Sequence, residues 1–275
     1  MIVVTGATGN IGQPLVQTLA AAGAQVRAVS RTVRATDLPA GVEHRQADLL
    51  DTNRLAVAVE GAHTVFLLTS GEYLGAGGVL AEVVQVVREA GAQRVVLVSS
   101  QGVGTGNHPS DAEDAVEKSG IAWTILRPGN FASNALQWAE SVRTERAIAA
   151  PFADVALPVI DPADIAAVAA AALLDDRHDG KTYELTGPEP VSPRQQAAAL
   201  GTVLGEPVRF TELSRAQAHA RMTQFMPEPV VESTLDMLGN PVPTLQQVSP
   251  DVEQIVGRPP HTFAEWAARH AAAFK

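Results

Sequence analysis

The chain has no cysteine. That absence excludes disulfides, thiolate-held metals and thiol nucleophiles together, while saying little about compartment. Tyrosine is nearly as scarce, with only Tyr73 and Tyr183 in 275 residues. Basic residues are the minority, 20 Lys and Arg against 30 Asp and Glu, for a formal net charge of −10. Such a balance argues against a nucleic-acid partner, because nonspecific binding needs a cationic surface to release counterions. No apolar run reaches membrane-spanning length, and the N-terminus enters an apolar strand pattern without a basic region or cleavage site. A cytoplasmic location with no membrane partner is the default expectation. What is present is 46% hydrophobic and 18% charged residues, the balance of a compact globular enzyme. The length suffices for one large α/β domain, or a core with a smaller lobe.

The organising stretch is Val3-Val4-Thr5-Gly6-Ala7-Thr8-Gly9-Asn10-Ile11-Gly12, followed by a helical apolar period through Ala20. It reads as strand, tight turn and helix opening. Gly6 lets the chain turn off the strand, Gly9 lets backbone come close to a phosphate, and Gly12 lets the helix lie against the sheet. N–H groups at the helix start, those of Asn10 and Ile11 among them, would then face a pyrophosphate, with Thr8 beside them. The spacing Gly-x-x-Gly-x-x-Gly differs by one residue from Gly-x-Gly-x-x-Gly. Position adds weight, because the motif follows the first strand of a continuing βαβ pattern.

A second strand over residues 25–31 ends near Ser30, Arg31 and Arg34. An acidic residue there suits a ribose 2′-OH; these cations suit a 2′-phosphate, which points to NADP(H), with solvated arginines as the plain alternative. Arg27 belongs to the same short basic cluster. A third strand is predicted to end in Asp48, followed by Leu49; Asp48 could accept from an adenine amino group or cap the next helix. The fourth strand, 63–68, ends in an unbroken apolar run, and the polar loop after it, from Thr69 through Tyr73 to Gly78, lies at the ligand-facing strand end. Arg94 to Ser100 is the fifth strand, with Ser99 and Ser100 at its end, and the next loop carries His108. Ser110 and Glu113 have the spacing of a capping box for a helix over 110–119. A sixth strand, 121–126, leads into Arg127-Pro128-Gly129-Asn130-Phe131.

Six strands separated by helices predict an α/β fold, a doubly wound parallel sheet of the Rossmann kind, because parallel neighbours need crossovers that cover both faces. Beyond about residue 134 the alternation weakens. Helices are expected over 136–146, 161–174 and 192–204, a short strand at 183–186, and an amphipathic segment at 262–274. The division expected is a dinucleotide-binding core at 1–150. Residues 151–275 would partly complete it and form a smaller substrate-side lobe. Met222, Phe225, Met226 and Met237 fit either core or a substrate pocket.

Val-Thr-Gly-Ala-Thr-Gly-Asn-Ile-Gly at 4–12, Ala-Asp-Leu at 47–49, Val-Ser-Ser at 98–100 and Trp-Thr-Ile-Leu-Arg-Pro-Gly-Asn-Phe at 123–131 resemble the atypical short-chain dehydrogenase/reductases, more narrowly the NmrA-like group. Tyr183 to Pro188 and Gly257 to Phe263 are similar to this group too. The resemblance implies NAD(P) binding, with Asn130 and Phe131 lining the nicotinamide pocket, and covers quinone and isoflavone-type reductases as well as redox-sensing regulators. The chain departs from the short-chain dehydrogenase pattern in one respect. Neither tyrosine has a lysine four residues later, so the Tyr-x-x-x-Lys acid that a carbonyl reductase uses is missing.

Two functions follow. The first is an NADPH-dependent oxidoreductase transferring hydride to a small electron-poor acceptor, a quinone or conjugated enone. Such an acceptor needs less acid assistance than an isolated ketone, and positioning supplies much of the rate. Candidate proton donors are His108, Ser100 and Tyr73, in that order, with no metal required. The second is a non-catalytic NADP(H) sensor acting on a partner protein. For either, a monomer or homodimer is expected.

Overall fold

The computed structural model describes residues 1–32, 38–69, 73 and 75–275. Seven parallel strands form the central sheet in the order β3-β2-β1-β4-β5-β6-β8. In chain order these are β1 Ile2–Thr5, β2 Val26–Ser30, β3 Glu43–Gln46, β4 Thr64–Leu68, β5 Arg94–Val98, β6 Ala122–Pro128 and β8 Lys181–Leu185. Between β6 and β8, β7 (Ala147–Pro151) leaves this sheet and pairs parallel with β9 (Arg209–Leu213).

The central strands are apolar along their length because both faces are covered, as a parallel sheet requires. Side chains alternate between two cores. Val4, Phe66, Val96, Val98 and Leu126 join the helices Gly12–Ala21, Pro162–Leu174 and Asp251–Val256. Val3, Val65, Leu67, Val95, Leu97 and Ile125 join those of Thr52–Val59, Leu80–Glu89 and Asp111–Glu117.

The short strand expected at 183–186 proves to be the seventh strand of the main sheet, paired with β6 from Thr124↔Lys181 to Pro128↔Leu185. Its crossover contains the alanine-rich helix expected over 161–174, opened by Pro162 and capped by Asp161, whose side chain accepts from Ala163 N–H. Small side chains on every face of that helix let it bury almost completely. Asp161 and Asp164 at its start are engaged by Arg269, Arg258 and His261, tying the last segment of the chain to the core.

A third core joins Ile148, Leu200, Phe263, Trp266 and Phe274 around the helix Pro193–Leu204. Ser192 and Gln195 form its capping box, and Gly205 closes it in the left-handed region. The helices Arg215–Met222 and Glu228–Gly239 bury Ala218, Val231 and Leu235 against Phe152, with Met222 and Met226 half-buried beside them. Phe225 is 72% exposed and belongs to no core. No described helix is long and apolar enough to cross a membrane.

Three local expectations are corrected. The third strand stops at Gln46, two residues short of Asp48. Ser110 has helical backbone and makes no side-chain cap, so the proposed capping box does not form. Glu113 is instead buried against the sheet. Arg27 is buried too, donating to Glu43 and to the carbonyls of Ala58 and Glu60, so it braces β2 rather than joining the cations at the strand end.

Candidate functional site

The strand order reverses between β1 and β4, whose following helices lie on opposite faces, and this opens a crevice at the carboxyl edge. There a cleft of about 390 Å³ is walled by the turn from Gly6 to Ile11, by Ser30 and Arg31 at the end of β2, and by Asp48 to Leu50. Leu68, Thr69, Tyr73 and Phe131 complete it.

The turn is built from main chain. Gly6 adopts φ +62°, and Gly9 N–H donates to Gly6 O at 2.9 Å. A Cβ on Gly12 would stand 2.2 Å from Gly6 O and 2.8 Å from Ala7 Cα, so only glycine lets the helix approach the strand this closely. A Cβ on Gly9 would meet only Gly6 O, at 3.3 Å. A methyl group there asks that one oxygen to give by a few tenths of an ångström, and glycine at that position keeps the open side of the turn clear. The helix begins after Ile11 with no side-chain cap, leaving N–H groups at its start for an outside acceptor. Thr5 fixes the floor: its hydroxyl donates to Phe66 O at 2.9 Å and accepts from Leu68 N–H at 3.1 Å.

These features fit a dinucleotide: an uncapped helix start for the diphosphate, a turn whose glycines at 6 and 9 bring bare main chain beneath it, and a crevice that runs on past the turn. Asp48 lines the crevice and accepts from Leu50 N–H, while Asp51 caps the next helix; of the two roles left open for Asp48, the cap belongs to Asp51. Arg31 lines the crevice, whereas Arg34 lies outside the described residues, as do positions 70–72 and 74 of the loop after β4. Asn10 Nδ2 donates to Ser133 Oγ at 2.9 Å, linking the turn to the segment after β6.

A second cleft, about 290 Å³, adjoins the first at Phe131, which borders both. Its walls come from Ser100 to Gly102, Pro128 to Phe131 with Asn134, and Leu157 with Pro158, and the helix Glu228–Gly239 and the short helical turn Pro243–Gln246 contribute Met237 and Leu245. Ser100 Oγ accepts from Gly102 N–H at 3.1 Å and lies 3.0 Å from His108 Nδ1. His108 is exposed and lines neither cleft, touching the second only through Ser100, and its main-chain N–H donates to Gly102 O. Asn134 Nδ2 donates to Asn130 Oδ1 at 2.8 Å, orienting both amides.

The structure thus brings Ser100, His108, Asn130 and Phe131 together and leaves other candidates elsewhere. Tyr73 lies in the first cleft, buried against Gly78, where any Cβ would enter its ring. Burial, with the Glu82 charge, pushes its phenol further up, the wrong direction for an acid. Tyr183 pairs with His178 Nδ1 at 2.9 Å on the edge strand and lines neither cleft. Ser99 is a further correction: it lines neither cleft, its hydroxyl donating to Glu113 Oε1 at 2.5 Å.

The residues that sequence reasoning missed are those whose role depends on tertiary partners. Glu113, 3% exposed, receives Ser99 and both Nε and Nη2 of Arg127, at 2.9 and 2.6 Å. It therefore joins the ends of β5 and β6 that carry the second cleft's walls. Glu184 faces Arg127 Nη1 at 3.4 Å; burial pushes its carboxyl up, with Arg127 opposing. The spacing that suggested a cap was the only local signal from Glu113, and it pointed elsewhere.

A glycine turn against an uncapped helix, at the reversal of a parallel sheet, defines a Rossmann dinucleotide-binding protein. A family model described as NAD(P)H-binding matches residues 6–176. The chain belongs to this NAD(P)H-binding family. It is 36% identical to a (4-alkanoyl-5-oxo-2,5-dihydrofuran-3-yl)methyl phosphate reductase of Streptomyces griseus, over 100% of this chain and 99% of that one. An NAD(P)H azoreductase of Xenophilus azovorans is 34% identical with the same coverage. The structure of an Escherichia coli NADPH-dependent quinone oxidoreductase complexed with NADPH superposes with a TM-score of 0.83 at 27% identity, covering 98% of this chain and 99% of that one.

Proposed function

We propose that the protein is an NADPH-dependent oxidoreductase whose second cleft seats a small electron-poor acceptor, a quinone or a conjugated enone. The observation that carries this reading is the meeting of the two clefts at Phe131, with Asn130 beside it. A coenzyme whose diphosphate sits on the helix start would extend its reduced end toward that junction. The bound coenzyme supplies hydride; the chain supplies position and a proton path.

Each residue has a task in this reading. The N–H groups of Asn10 and Ile11 hold the diphosphate, with Thr8 at the turn. Arg31, with Arg34, takes the 2′-phosphate, and Asp48 accepts from the adenine amino group, with Leu49 and Thr69 against the nucleoside. Asn130 and Phe131 hold the nicotinamide end. Ser100, in contact with His108, passes a proton to the acceptor oxygen after reduction, and the exposed imidazole recharges it from water. Residues 1–150 act as the dinucleotide-binding core, and 151–275 complete it and form the acceptor side, to which Met237 and Leu245 belong. This is a cytoplasmic role for a monomer or homodimer acting on small molecules.

Mixing the protein with NADPH and a panel of quinones and enones tests the reading. NADPH oxidation above the uncatalysed rate is expected, with kcat falling in His108→Ala more than KM rises. Tight NADP(H) binding with no turnover across the panel would contradict it and favour a sensor.

A further inference from the structure

The reading just given places the acceptor in the second cleft. Resting on it, we infer that this cleft selects uncharged acceptors and rejects anionic ones, and that Glu113 and Glu184 set the selection by neutralising Arg127. The polar groups of the walls are a hydroxyl and amides, those of Ser100, Gln101, Asn130 and Asn134, and the rest of the lining is neutral. Arg127 directly precedes the lining residue Pro128 and is the natural counter-charge for a phosphate or sulfonate. It is already engaged. Two of its nitrogens are bonded to Glu113 and a third faces Glu184.

This cluster lies directly behind the cleft wall. A Cβ on Gly104 would stand 3.0 Å from both Arg127 Nη1 and Glu184 Oε1, and Gly104 ends the short helix whose first residues, Gln101 and Gly102, form that wall. One guanidinium faces two carboxylates here. A third, that of Asp251, accepts from Glu184 N–H at 2.8 Å. Glu184 Oε2 is buried and has no hydrogen-bond partner among the described residues. An anionic group entering the cleft would lose water and gain no opposite charge. The formal net charge of −10 also opposes its approach. A phosphate-bearing substrate, such as the Streptomyces griseus relative is named for, is therefore disfavoured in this chain.

Two probes of one shape and different charge, naphthalenesulfonamide and naphthalenesulfonate, neither of them a hydride acceptor, are titrated into the complex of the protein with NADPH, whose reduced nicotinamide ring is uncharged. The sulfonamide is expected to bind at least about tenfold tighter. Glu184→Gln keeps the side chain's shape and removes a carboxylate, and should narrow that ratio several-fold through the sulfonate alone. Asn134→Arg, on the exposed rim and outside the ion cluster, should raise sulfonate affinity about tenfold whether or not Glu184→Gln folds. Equal binding of the two probes, binding of neither, or sulfonate affinity unmoved by Asn134→Arg would overturn the inference. Because these are binding measurements, a charge preference without quinone turnover would leave the inference standing and remove the oxidoreductase reading. Turnover with equal binding would do the reverse.

Discussion

The two clefts are built from different materials. The turn at the centre of the first is a main-chain structure from one short stretch, residues 6–11, set against strand ends. The second is made of side chains from separate stretches at 100–102, 128–134, 157–158, 237 and 245. Main-chain sites need a particular dihedral angle or a missing Cβ, requirements that act on single residues. Side-chain walls need the whole fold in place before they exist.

The largest test of that contrast is Gly12→Ala. A Cβ 2.2 Å from Gly6 O forces the helix off the strand, so a loss of about 3 kcal/mol or more is expected in denaturant melts. An unchanged midpoint would show that the turn is looser than its geometry implies. Substitutions in the second cleft, such as Leu245→Ala, should leave NADPH affinity alone while altering acceptor KM, since Leu245 lines only that cleft.

Arg31→Ala sharpens the comparison within the first cleft. Loss of a charge-assisted contact to the 2′-phosphate should weaken NADPH roughly tenfold to hundredfold and leave NADH nearly unchanged. Equal losses for both coenzymes would place the phosphate elsewhere.

A smaller effect separates the cleft from the body of the fold by pH. Burial lowers His44 and His178 from the ordinary value of 6.5. The unfolded chain therefore takes up protons first on acidification. The stability held above pH 6.5 is lost as pH falls toward the folded-state values. His178, on the far edge beside Tyr183, should affect only that stability, whereas His44 lies 3.3 Å from the cleft residue Ser30. Melting His178→Asn and His44→Asn across this range, with NADPH titrations alongside, checks the split. NADPH affinity that follows His178 would contradict it.

The same distinction explains what the sequence could disclose. The glycine turn, the apolar strands and the proline-opened helix at 162–174 were legible because each depends on neighbours a few positions away. The seventh strand was legible only as a strand. Its place beside β6 depends on a crossover helix that buries on every face and so shows no amphipathic stripe. Glu113 carried a misleading local pattern, since its carboxylate is taken by Arg127 and Ser99, fourteen residues away in either direction. Met237 and Leu245 reach the second cleft only through the packing of the last third of the chain, where methionine and leucine read equally as core. Phe225, which hydrophobicity alone would place inside, is exposed.

The central claim is that main-chain N–H groups at the opening turn grip the diphosphate. Gly9→Ala addresses it most directly, because the added methyl group meets only Gly6 O at 3.3 Å and otherwise projects into the open side of the turn. NADPH titration of this variant and of the unaltered protein, each with its melting temperature, is the measurement. Saturable binding by the parent, and at least roughly tenfold weaker binding by a variant that melts within a few degrees of it, is expected. Equal affinity in the two proteins would contradict the account.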